Sequence, residues 1–226
     1  TIGRQVRYQW LNEIAQSEGY DYISVAHHKD DQAESILAHI IRGSGLNGLT
    51  GMSVVQSEYA IPVVRPLLDV TKEDLLAYIG TKHISYCVDS TNEDVRYQRN
   101  RIRHRIIPEL EAVNPAVVDA IVRLGSSVNE DVMVISDLTS RTFDKLVSIG
   151  DDEVRISRRA LRQEPLAIQR RLWQRLVSTI DSDLTLTSAH QEQLLDIVNT
   201  GEKKTFTIKS IKVIAQCDTI KVYCKH

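Results

Sequence analysis

The sequence predicts an α/β protein: an incomplete Rossmann-like domain, then a long connector helix, then a smaller, mainly helical domain that ends in β strands. Three observations carry this reading. Tyr22 to Ala26 is an apolar run too short for a helix, and a helical stripe follows it at Ala33, Ile36, Leu37, Ile40 and Ile41. From Asn114 a narrow apolar stripe continues to about Leu146. From Thr205 the residues turn β-branched and aromatic, as in Phe206-Thr-Ile, Ile211-Lys-Val-Ile and Thr219-Ile-Lys-Val-Tyr.

Composition narrows the function classes. The 226 residues, 42% hydrophobic and 26% charged, suit one large or two modest globular domains. No apolar run approaches a membrane span, and no signal peptide is visible. Cys87, Cys217 and Cys224 are scattered with no C-x-x-C pair, which argues against a disulfide framework, a zinc ribbon and a redox dithiol. A reducing, cytoplasmic setting is expected. The net charge of −2 gives no sign of a polyanionic partner, but the distribution of charge does.

The chain opens inside an amphipathic pattern, with Val6, Trp10, Leu11 and Ile14 at helical spacing. One strand at 22–26 cannot be a sheet, so earlier strands are expected to be missing from the chain. His27, His28, Asp30 and Asp31 then fall where strand hands over to helix, the crevice in which open α/β sheets bind ligands. With a helix starting near Asp30, Asp31 and Glu34 lie one turn apart on one face. Their pairing has three readings: helix capping, a metal site with His27 and His28, or a clamp for a cation. Adjacent histidines on a strand point to opposite faces, which weighs against the metal. Spacing alone does not choose.

After this helix, Arg42-Gly43-Ser-Gly-Leu-Asn-Gly-Leu-Thr-Gly51 reads either as a backbone cradle for phosphate with Arg42 beside it, or as a helix C-cap at Gly43 followed by turns. Pro62 makes Tyr59–Val64 an edge strand or a strand start. Thr71-Lys-Glu-Asp74 is a capping box opening a short helix to about Gly80. Five arginines among residues 96–105 suit phosphate recognition, or else a basic helix face paired with Asp89, Glu93 and Asp94. Asn114-Pro115 caps the connector helix. Ser157 caps a short helix, and Glu164–Val177 forms another with Leu166, Leu172, Trp173, Leu176 and Val177 inward. Thr187 or Ser188 caps a third that ends before Gly201. Seven arginines against one acid between Arg155 and Arg175 make a second basic patch.

Three blocks together resemble the tRNA(Ile)-lysidine synthetases, of the PP-loop (N-type) ATP pyrophosphatases. They are Ala26-His-His-Lys-Asp-Asp-Gln-Ala-Glu-Ser-Ile-Leu running on to Arg42-Gly-Ser-Gly-Leu-Asn-Gly-Leu; Arg65-Pro-Leu-Leu with Thr71-Lys-Glu-Asp-Leu; and Asp89-Ser-Thr-Asn with Arg99-Asn-Arg-Ile-Arg-His-Arg-Ile-Ile-Pro. The resemblance implies a PP-loop domain of the adenine nucleotide alpha hydrolase kind over 1–110, a connector helix over 111–148, a helical tRNA-binding domain over 149–204, and a β segment over 205–226 leading to a missing C-terminal domain. It implies a ligase that uses ATP with Mg2+. Such a ligase adenylates carbon 2 of the wobble cytidine in tRNA(Ile) with a CAU anticodon, and free L-lysine then displaces AMP to form lysidine.

The roles implied by the resemblance fall residue by residue. Asp31 and Glu34 clamp the lysine ammonium; His27, His28, Asp31 and Arg42 serve the chemistry; His27, Asp30, Arg42 and Gly43 bind ATP. Arg99, Asn100, Arg103, Arg158, Arg159, Arg170 and Arg171 meet the tRNA. No metal-ligating residue is expected, and a homodimer stays open. The family's Ser-Gly-Gly-x-Asp-Ser loop is absent, so these 226 residues alone are expected not to turn over; Ser35 in place of a usual threonine is a minor departure. The competing expectations are a non-catalytic tRNA-binding remnant; a PP-loop thiolase, disfavoured by the scattered cysteines; and a metal hydrolase, disfavoured by the histidine geometry.

Overall fold

The computed structural model describes residues 2–87, 94–150, 153–182, 184–200 and 203–224, without the side chains of Ile2, Arg4 and Cys224. The Asp89-Ser-Thr-Asn block and Glu93 lie outside the described residues. The chain divides into two compact units, 1–132 and 133–226.

In the first unit, α1 (Ile2–Ser17) leads through a turn to β1 (Ile23–Ser24), and α2 (Lys29–Ile41) follows. The short α3 (Leu46–Leu49), β2 (Val55–Gln56), β3 (Val63–Val64) and α4 (Lys72–Thr81) come next. The sheet order is β1-β3-β2, with β1 parallel and β2 antiparallel to β3. Pro62 therefore precedes the central strand rather than an edge. Its missing N–H costs nothing at a strand start, while its carbonyl accepts from Ile23 N at 2.9 Å. β2 has no counterpart in the sequence reading, because two residues are too few to show a period.

The inward side of α1 also differs from the expected stripe. Tyr8 and Ala15 are buried, whereas Val6 and Trp10 are exposed. Specific contacts set this orientation: the Tyr8 and Tyr59 rings stack at 5.3 Å, and Asn12 Oδ1 accepts from Ile61 N at 2.8 Å. Likewise α2 buries Ala33 and Ile36 completely but leaves Ile40 and Ile41 exposed. Thr71 caps α4 through Asp74 N–H at 3.1 Å, as its capping box predicts.

A further helix runs from Gln98 to Val113 in three parts: α5 (Gln98–Arg101), a π-helical turn (Ile102–Ile106) and α6 (Ile107–Val113). Helix α7 (Val117–Leu146) begins after Asn114, whose Oδ1 accepts from Ala116 N at 3.1 Å. The division between the units falls within α7. Gly125 on its first half is closely packed: a Cβ there would stand 2.7 Å from Ile36 Cδ1 and 3.2 Å from Leu49 O, so these neighbours would have to shift.

The second unit holds a five-stranded antiparallel sheet in the order β4-β5-β8-β7-β6. The strands are β4 (Val147–Ile149), β5 (Val154–Ser157), β6 (Lys204–Ile208), β7 (Ile211–Gln216) and β8 (Thr219–Cys224). Between β5 and β6 lie α8 (Arg158–Leu161), α9 (Leu166–Ile180) and α10 (Ser188–Asn199). Ser157 and Thr187 supply the expected caps. Alternate strand residues Val154, Ile156, Val213, Ala215, Ile220 and Val222 pack in one core with Leu172, Trp173, Leu176 and Val198 of α9 and α10. The expected break at 204/205 does not occur: β8 pairs with β5 from Val154↔Val222 to Ser157↔Thr219, so the last strands complete a sheet begun before the helices. Leu166, expected inward, is exposed at the first position of α9.

Candidate functional site

Four residues meet where β1 gives way to α2. Asp31 and Glu34 sit one turn apart on α2 and are both buried, Glu34 with 1% of its side chain exposed. Two arginines four residues apart reach them from α5 and the π turn. Arg99 Nε donates to Glu34 Oε2 and its Nη2 to Asp31 Oδ1, each at 2.8 Å. Arg103 Nε donates to Glu34 Oε1 at 2.5 Å, and its Nη2 to Asp31 Oδ1 at 2.9 Å and to Glu34 Oε2 at 3.1 Å. Two carboxylates and two guanidiniums thus form one charge-balanced cluster. Burial works against the Arg103 charge, but its hydrogen bond to Glu34 and the charges of Glu34, Asp31 and Asp30 outweigh this and raise its pKa. Stripping one partner from such a buried pair costs about 3–5 kcal/mol, because the other charge is left bare.

Asp31 also caps its own helix: Oδ2 accepts from His28 N at 3.1 Å. Asp31 thus caps the helix with one oxygen and takes both guanidiniums at the other. The His28 ring stands 3.3 Å from Asp31 Oδ2 and 3.3 Å from Asp30 Oδ2. Asp30 accepts the Lys72 N–H at the start of α4, at 2.8 Å. The hydrogen bond from His28 lowers the Asp30 carboxyl to about 2; burial opposes this and the Lys72 N–H assists.

His27 lines a separate cleft of about 860 Å³, with Arg7, Tyr8, Leu11, Tyr97 and Arg99 among its walls. The two histidines thus serve different surroundings. Among the described residues no group of three His, Cys, Asp or Glu side chains is arranged to hold a metal.

Residues 1–110 match a family model described as a PP-loop domain. This part of the chain is a PP-loop domain. Among the relatives are three proteins named tRNA(Ile)-lysidine synthase. That of Porphyromonas gingivalis strain ATCC 33277 is 41% identical over 67% of this chain and 33% of its own length. That of Caldanaerobacter subterraneus subsp. tengcongensis is 30% identical over 98% of this chain and 46% of its own. That of Bacillus subtilis strain 168 is 31% identical over 88% and 43%. The chain spans less than half the length of these curated relatives.

The other expected residues of the PP-loop domain are arranged as follows. Arg42 is exposed at the C-cap of α2. Gly43, at φ +69°, closes a Schellman motif: its N–H goes to Ile40 O at 2.9 Å, and Ser44 N–H goes to His39 O at 3.0 Å. Those two donors are spent, which corrects Gly43 as a phosphate ligand and leaves Arg42 with its free fork. Asn100 is buried, and its amide donates to Asp94 O at 3.0 Å, so it braces the preceding turn. Arg101 and Arg105 are exposed on the far side of the same helix from the carboxylates, and Arg96 pairs with Asp94 at 2.7 Å. The sequence reading missed Arg7 and Tyr97, which stand in no motif and reach the cleft only through the fold.

In the second unit Arg159 and Arg170 are exposed and Arg171 is half-buried. Arg158 is a correction. It is buried, with Nε facing Val198 O at 3.4 Å and Nη1 facing Cys217 O at 3.3 Å, so it ties α8 to the sheet and cannot meet a phosphate outside. No helix among the described residues is long and apolar enough to cross a membrane.

Proposed function

We propose that this chain belongs to an enzyme that ligates L-lysine to carbon 2 of the wobble cytidine of tRNA(Ile) with a CAU anticodon, using ATP. The observation that carries the reading is the buried Asp31–Glu34 pair of a PP-loop domain, held against cationic side chains. A pair already built for guanidinium suits an ammonium in the same place. The relatives named tRNA(Ile)-lysidine synthase support the choice of lysine as the amine and of tRNA as its acceptor.

The cleft beside His27 fits a nucleotide: it is large enough, Arg7 and Arg99 offer donors to phosphate, and Tyr8 and Tyr97 offer ring surface. ATP supplies the activating group, forming a bond from the C2 oxygen to the α-phosphorus with loss of pyrophosphate. The lysine ε-amine, deprotonated, then bonds to C2 as AMP departs with that oxygen. Asp31 and Glu34 orient the amine; His28, between Asp30 and Asp31, is the nearest group able to take up its proton. Mg2+ enters as the counter-ion of the nucleotide phosphates, a role that needs few protein ligands. Arg42, Arg159, Arg170 and Arg171 are the exposed or partly exposed cations offered to RNA phosphates.

The test is ATP-dependent incorporation of labelled lysine into a tRNA(Ile) transcript by the intact protein. Asp31→Asn and Glu34→Gln are expected to raise the KM for lysine about 10–100-fold, the weight of a charge-assisted hydrogen bond, while pyrophosphate release persists. An unchanged lysine KM removes the clamp. A second reading, a tRNA binder without catalysis, is favoured by the arginines that fill the carboxylate pair. RNA binding with no incorporation under any condition would select it.

A further inference from the structure

We propose that Arg99 is a two-position cation that admits the amine only when a phosphate group draws it away. The inference rests on the reading of Asp31 and Glu34 as the amine clamp. Its two anchors differ in how firmly they are held. Arg103 makes three hydrogen bonds to the carboxylates and its side chain is 23% exposed. Arg99 makes two and is 48% exposed. Arg99 also lines the cleft that holds Arg7, His27 and Tyr97. One side chain therefore borders both the acidic pocket and the cleft suited to phosphate, and needs only rotamer changes to pass between them.

Charge makes the two events depend on each other. Glu34 is almost fully buried, and taking Arg99 from it with no replacement strands negative charge away from water. A phosphate in the cleft offers the guanidinium an alternative bidentate partner. Glu34 Oε2 and Asp31 Oδ1 keep their bonds from Arg103 Nη2, and the lone pairs that Arg99 releases are open to an ammonium, which restores the balance of two cations to two carboxylates. Phosphate and amine thus bind with positive coupling, and the coupling is reciprocal. A free amine meets a closed pocket until the phosphate-bearing ligand is in place. Nucleotide and RNA share this chemistry.

Lysine binding to the intact protein, followed by calorimetry, tests the switch with three additions: none, a non-hydrolysable ATP analogue, or an unmodified tRNA(Ile) transcript. Wild-type protein is expected to bind lysine at least tenfold more tightly in one of the two phosphate arms, and the responding arm identifies the source of the phosphate. Arg99→Gln is expected to bind lysine without phosphate as tightly as the wild type does with it, and to ignore the addition. Arg99→Lys keeps a cation in place and is expected to retain the dependence over a smaller span. A phosphate effect that persists in Arg99→Gln, or is lost equally in Arg99→Lys, overturns the switch. Lysine binding that needs Glu34 but never responds to phosphate removes the switch and keeps the clamp. No lysine binding in any arm removes both.

Discussion

Asp30 is the residue whose titration reports most directly on the fold around the site. Its carboxyl is held near 2 by the His28 ring, against burial and with help from the Lys72 N–H. A carboxylate whose folded pKa lies below its unfolded value of about 4 adds stability above that value and loses it as pH falls through the folded one. The chain is therefore expected to lose stability between about pH 4 and pH 2, in part through Asp30. Asp30→Asn should lower stability at neutral pH by about 1 kcal/mol, the worth of a helix N-terminal acceptor, and flatten the fall in that window. Urea midpoints at three pH values measure this; parallel curves for variant and wild type would refute it. Asp31 and Glu34 were visible in the sequence because their spacing is one helical turn. Their partners were not, since Arg99 and Arg103 lie 65 to 72 residues further along. Within the five-arginine cluster, Arg99 and Arg103 share the four-residue interval of one face with Arg101 and Arg105, so spacing alone did not say which pair turned inward.

Elements were legible where a side chain writes its own signal. Thr71, Ser157 and Thr187 each precede a helix and accept the N–H that their chemistry predicts. Two-residue strands carry no period, so β2 passed unnoticed. β4 and β5 did too, because they are short and because the arginines in and after β5 drew a different reading. Helix α8 shows what the arginine count concealed: Arg158 turns inward to two carbonyls while its neighbour Arg159 is exposed. Arg158→Ala is expected to lower stability by about 2–4 kcal/mol and leave RNA affinity unchanged once folded, since it strips a buried hydrogen-bonded charge. Changing Arg159 and Arg170 together to alanine should do the reverse, weakening RNA binding and its salt dependence with little effect on melting. Thermal melts beside filter binding separate the two; equal RNA losses in both variants would return Arg158 to the contact surface.

At the scale of the molecule, the described residues build two hydrophobic clusters, one centred on Tyr8, Ile23 and Val63 and one on Trp173, Leu176 and Val213. Two cores within one chain depart from the conditions under which unfolding is all-or-none. Calorimetry is expected to resolve more than one transition. Trp173→Ala, which removes a large and fully buried ring, should lower only the transition of the second unit, by about 3–5 kcal/mol in local stability. One two-state transition shifted as a whole by that substitution would mean that the units unfold together.

The π-helical turn gives the helix that carries Arg99 and Arg103 an unusual relation to chain length. Ile102 and Ile107 are both buried although five residues apart, an interval that a plain α-helix does not place on one face. A deletion elsewhere in a helix rotates everything beyond it by about 100° and carries buried residues into water. Here, loss of one residue between Arg103 and Ile107 would shorten the interval to four, the natural α-helical spacing, with both isoleucines still inward. This turn is thus the one stretch of the helix Gln98–Val113 where a shorter chain remains compatible with the same packing.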